Sequence, residues 1–134
     1  MNTSRLIIAA TLFVFAGATA LAADKPSRQE KSEARLAELL KGRTAGEPQS
    51  CIPEFKSSQV EVLDGVALVY GIGKTIYVAK PDRPSQMQWD DVMVVNRTGG
   101  QLCNTDIIRT VDRLSGFTTG VVFLSKFVPY RKPD

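Results

Sequence analysis

The chain contains no histidine, one tryptophan and only two cysteines. Past Ala22 it also has no apolar run near the roughly 20 residues that cross a bilayer. Each absence excludes something. Without histidine, a Ser–His or Cys–His nucleophile pair is impossible, and acid–base work near neutral pH loses its usual carrier. A metal site would need the carboxylates or the two cysteines, and neither set has ligand spacing, so no catalytic residue, cofactor-binding residue or metal ligand is expected. Charge of one sign is missing too. The 17 basic and 14 acidic residues are interleaved, for a formal net charge of +3. Nucleic acid needs a concentrated basic face, so it is not an expected partner.

What is present begins with an export signal. Arg5 supplies the positive start, Leu6 to Ala16 the apolar stretch, and Ala20-Leu21-Ala22 the small-x-small cleavage site. Residues 1–22 are therefore expected to be removed, placing the mature chain in the periplasm or outside the cell. Ala23-Asp24-Lys25 follows rather than a cysteine, so no lipid anchor is expected, nor a membrane span in the mature form. The remainder suffices for one small domain.

An exported chain with two cysteines is expected to pair them. A Cys51–Cys103 bridge closes a loop of about 50 residues, worth about 4 kcal/mol on the chain-entropy relation, with Cα atoms about 4.4–6.8 Å apart. A redox-active pair is disfavoured, because catalytic dithiols sit close in sequence at a helix start.

Residues 23–48 read as a helix and linker. Ser27 and Glu30 have capping-box spacing, Leu36, Leu39 and Leu40 form a narrow apolar stripe, and Gly42 is a natural stop. Residues 43 to 50 lack periodicity and carry Gly46 and Pro48. Residues 49–134 read as a small β domain, with strands expected near Val60–Leu63, Val66–Tyr70, Thr75–Lys80, Val92–Asn96, Ile107–Val111 and Val121–Leu124. The fold class is thus mainly β: a small single-domain barrel or sandwich of about 5–6 strands behind a short N-terminal helix. Val66 to Val78 is the clearest hairpin. Ile107–Val111 could start a helix at Asn104 or Thr105, but its β-branched residues favour strand.

Gly71-Ile72-Gly73-Lys74 hints at a phosphate loop, yet a strand follows where a phosphate cradle needs a helix, and the hairpin-turn reading prevails. Asp90-Asp91 reads as a polar turn before a strand rather than a calcium or acid–base pair. Asn96-Arg97-Thr98 matches the N-glycosylation acceptor pattern, which usually means nothing if the chain is bacterial, as its signal peptide suggests. Trp89, Tyr70, Tyr77, Phe117, Phe123, Phe127 and Tyr130 are expected mostly in the core. Arg109 interrupts a β-branched run and should face solvent or pair with Asp106 or Asp112.

Cys51-Ile52, then Leu102-Cys103-Asn104-Thr105-Asp106-Ile107, then Phe127-Val128-Pro129-Tyr130, with a glycine-containing hairpin between the first two, resemble a family of small exported Gram-negative bacterial proteins of unknown function. The resemblance covers about residues 45 to 131. Some members carry a second cysteine pair, which this chain lacks near Gln86–Trp89 and Val121–Leu124. The resemblance implies no activity and no catalytic residue. The expected function is therefore non-enzymatic, a binding or structural role at the cell envelope with an unknown envelope protein or ligand as partner. Two alternatives stand beside it. One is a small secreted hydrolase inhibitor presenting the stiff loop Pro81-Asp82-Arg83-Pro84-Ser85. The other is an enzyme using carboxylates, which needs a pocket gathering two or more of Asp90, Asp91, Asp106 and Asp112.

Overall fold

The computed structural model describes residues 25–87, 90–97 and 99–134. The expected signal peptide with its cleavage site, Trp89 and Thr98 lie outside the described residues.

Helix α1 (Arg28–Leu40) starts as its residues dictate. The Ser27 hydroxyl accepts from the Glu30 N–H at 3.2 Å, and the Glu30 carboxylate accepts from the Ser27 N–H at 2.5 Å. This closes the capping box and holds the Glu30 carboxyl below the usual carboxylate range. Gly42, at φ 70°, takes the left-handed turn that ends the helix. Leu36, Leu39 and Leu40 then pack on Leu63, Ala67, Val69, Ile76 and Val78.

Those residues belong to one face of a five-stranded antiparallel sheet. Its strands are β1 (Thr44–Ala45), β10 (Val128–Arg131), β5 (Thr75–Ala79), β4 (Ala67–Tyr70) and β3 (Val60–Leu63), in that order. The interior strand β4 is buried at every position, because its odd residues meet α1 and its even residues, Leu68 and Tyr70, meet the second layer. That layer consists of the pair β2 (Cys51–Pro53) and β7 (Gln101–Cys103), plus a three-stranded sheet of β6 (Val92–Val95), β8 (Ile108–Val111) and β9 (Thr118–Val122), in that order. Between the layers lie Ile52, Leu68, Tyr70, Ala79, Met87, Leu102, Ile108, Val122, Leu124 and Phe127. Phe127 is fully buried, its ring edge-on to Tyr70 at 5.6 Å.

The molecule is mainly β, as expected, but its described residues form ten strands and not about 5–6, and of the two architectures the sandwich fits. No sheet closes on itself among the described residues. The two layers are pinned along one side, where Pro81 bridges Leu124 and Asp82 N–H donates to Phe123 O at 2.9 Å. On the other side β3 and β6 are both edge strands. The segment expected at Ile107–Val111 is a strand, β8 (Ile108–Val111), and not a helix. The last expected strand, Val121–Leu124, sits instead at Thr118–Val122, because β9 takes its register from pairing with β8.

Cys51 and Cys103 are bonded, with an S–S distance of 2.02 Å. Their Cα separation of 3.9 Å falls below the expected span. The reason is register. Asn104 N–H donates to Ser50 O and Glu54 N–H to Gly100 O, so the opposed pair Cys51–Cys103 occupies a non-hydrogen-bonded position, where antiparallel strands come closest.

Candidate functional site

The glycine hairpin is occupied by the protein itself. Gly71 and Gly73, at φ 80° and 83°, shape the turn between β4 and β5. Arg43 donates from Nε to Leu39 O at 2.8 Å, from one terminal nitrogen to Lys74 O at 2.7 Å and from the other to Gly73 O at 2.8 Å. One guanidinium thus caps the C-terminus of α1 and fastens it to the hairpin. This is a turn, not a phosphate cradle.

The carboxylates serve turns as well. Asp112 Oδ1 accepts from the backbone of Leu114 and Ser115 and from the Ser115 hydroxyl, and the Ser115 side chain and backbone hold it below the ordinary aspartate range. Asp106 accepts from Cys103 N–H at 2.8 Å. Asp91 Oδ1 lies 3.2 Å from the Thr119 hydroxyl, which is 2.9 Å from Thr110 Oγ1. With one proton per hydroxyl, Thr119 donates to Asp91 and accepts from buried Thr110. Asp90 lines a different groove, beside Asp64. Of five cavities among the described residues, none holds two of Asp90, Asp91, Asp106 and Asp112. Nor, among the described residues, do three potential metal-ligating side chains gather.

Arg109 faces solvent and pairs with neither Asp106 nor Asp112. Across the three-stranded sheet it stands between Val94 and Val121, its partners in register on either side. Both are exposed, as are Val92, Ile107 and Phe123, each between 39% and 51%. β-strand alternation sends Met93, Val95, Ile108 and Val122 inward and leaves this apolar ring, centred on one cation, on the outer face.

A second feature lies in the open seam between edge strands β3 and β6. It is a cavity of about 440 Å³ lined on its apolar side by Val60, Tyr70, Met93, Val95, Leu102 and Ile108. Its polar lining is Ser57, Ser58, Arg97, Asp91 and Arg113. Ser57 ends the short helix α2 (Glu54–Ser57). Arg97 donates to Ser57 Oγ at 2.7 Å and stands 3.8 Å from Glu54.

Of the large aromatics, Tyr70 and Phe127 are core, Tyr77 and Tyr130 are half-buried, and Phe117 and Phe123 are exposed. The Pro81–Ser85 segment is tied to the fold through buried Pro81. The sequence singles out neither Ser57 nor Arg97 as a site residue, and offers Tyr70 only as one of several aromatics that could line a ligand groove but are expected mostly in the core.

Compared with family models, curated proteins and solved structures, the chain finds no match.

Proposed function

We propose that this is an exported, non-enzymatic binding protein of the cell envelope, periplasmic or secreted, in keeping with its resemblance to small exported bacterial proteins. The disulfide and the lack, among the described residues, of a helix long and apolar enough to cross a membrane support the compartment. The observation that carries the binding role is the outer face of the three-stranded sheet, where Arg109, with no ion-pair partner among the described residues, stands within Val92, Val94, Ile107, Val121 and Phe123. A central arginine ringed by apolar side chains is the composition of an interface hot spot. Charge complementarity selects a protein partner that offers a carboxylate among apolar side chains. A second copy stacked face to face would oppose two Arg109 guanidinium groups.

The test is photocrosslinking in the native host from position 94 or 121, with position 74 on the β4–β5 turn as control. One envelope protein captured from 94 and 121 but not from 74, and lost on Arg109→Glu, supports the reading. Equal capture from all three positions, a crosslinked homodimer, or lipid adducts alone would overturn it. The inhibitor alternative rests on the Pro81–Ser85 loop, whose attachment to Leu124 and Phe123 gives it no added support.

A further inference from the structure

We propose that the seam cavity between β3 and β6 is a binding site for a small amphipathic carboxylate, its anionic head held by Tyr70 and Arg97 and its apolar body by Met93, Val95, Leu102 and Ile108. The volume, about 440 Å³, is in the range of small-molecule sites. Two observations point to an occupant.

The first is Tyr70. It is only 3% exposed and lines the cavity, and its hydroxyl is not among the buried atoms left unsatisfied, so it opens to the cavity rather than being sealed in the core. A hydroxyl open to the cavity can donate to a ligand oxygen in place of water. Burial pushes the phenol well above its usual value of 10, while Arg97 works in the opposite direction. The group is therefore a neutral donor lying within the field of the guanidinium.

The second is the order of polarity along the seam. Tyr70 pairs with Val60 at the start of β3, close behind Ser57 and Ser58. Arg97 follows the end of β6, so hydroxyls, phenol and guanidinium gather at one end. Asp91 precedes β6 and lies some 20 Å away along the strand, at about 3.3 Å per residue, with Arg113 beyond the far end of β8. Between the ends the lining is apolar. An elongated ligand with one anionic end matches this pattern, and its carboxylate could come from an acyl chain or from an apolar peptide C-terminus.

The experiment titrates protein produced from the full-length chain with octanoate, methyl octanoate, and an acetylated Ala-Leu-Phe peptide as free acid and as amide, read by NMR shifts. Saturable shifts at Tyr70, Met93 and Arg97 with an acid, and none with its ester or amide, support the site. Whichever acid binds tighter names the source. Tyr70→Phe keeps the ring and should melt no lower than the parent, yet weaken binding roughly three- to tenfold. Arg97→Gln should weaken it more, and Met93→Trp should block it by filling the space. Equal binding of acid and ester, unchanged affinity in folded Tyr70→Phe and Arg97→Gln, or no saturable shift with any probe would overturn the proposal.

Discussion

Cys51 and Cys103 stand directly opposite each other in the β2–β7 ladder and are bonded across it, their Cα atoms 3.9 Å apart. The neighbouring pair, Ile52 and Leu102, points into the core between the layers. The bond therefore ties two distant stretches, 52 residues apart in sequence, at the floor of the sandwich. Replacing both cysteines by alanine should lower the melting temperature by on the order of 10 °C or more, for about 4 kcal/mol. A thermal melt checks it, and an unchanged melt would mean that the two short strands hold without the bond.

Arg43→Ala should cost about 1–2 kcal/mol, because three carbonyls lose one shared donor. Arg43→Lys should restore only part, since an ammonium cannot fork across Leu39, Gly73 and Lys74. Faster amide exchange at the end of α1, with β4 still protected, is the expected signature. Uniform loss of protection would place the effect elsewhere.

A Cβ at position 120 would sit 3.2 Å from Thr110 Oγ1. Gly120→Ala should therefore displace that hydroxyl and break the chain from Thr110 through Thr119 to Asp91, at about 1 kcal/mol. In a Thr110→Ala background the same change should cost at least about 0.5 kcal/mol less. Strict additivity in denaturant melts would contradict the contact.

Asp64 carries the clearest acid–base prediction. One carboxylate oxygen is buried without a partner, and burial raises its pKa above 3.8, with Arg28 opposing and Asp90 adding. The folded state therefore holds this proton to higher pH than the unfolded chain does. The group favours folding fully below 3.8 and loses that contribution as pH rises through the folded value. Asp64→Asn should melt above the parent at pH 7, and the difference should vanish in acid below 3.8. A melting series against pH decides, and an asparagine variant less stable at neutral pH would show that the Arg28 pairing at 4.0 Å outweighs burial.

Much of the fold was legible because its longer elements carry their own signals. Ser27 with Glu30 announces α1, and Val66 to Val78 announces the central hairpin. The four unforeseen strands are two to four residues long, and β2 and β10 contain Pro53 and Pro129, which periodicity cannot flag in so short a window. β9 was misplaced because Thr118-Thr119-Gly120 reads as turn residues, whereas pairing with β8 makes them strand. The candidate sites were less legible. Ser57, Tyr70 and Arg97 come from separate stretches that only the meeting of β3 and β6 brings together, and the apolar ring around Arg109 exists only once three strands are in register.

Export and oxidation of the chain meet in one observable. The most direct measurement is the intact mass of the protein from its native host, under non-reducing conditions with free thiols blocked. The expected species begins at Ala23 or Asp24, is lighter by two hydrogens than the reduced chain and carries no blocking group. A species that retains Leu6 to Phe15, or one that carries the block on Cys51 and Cys103, would contradict it.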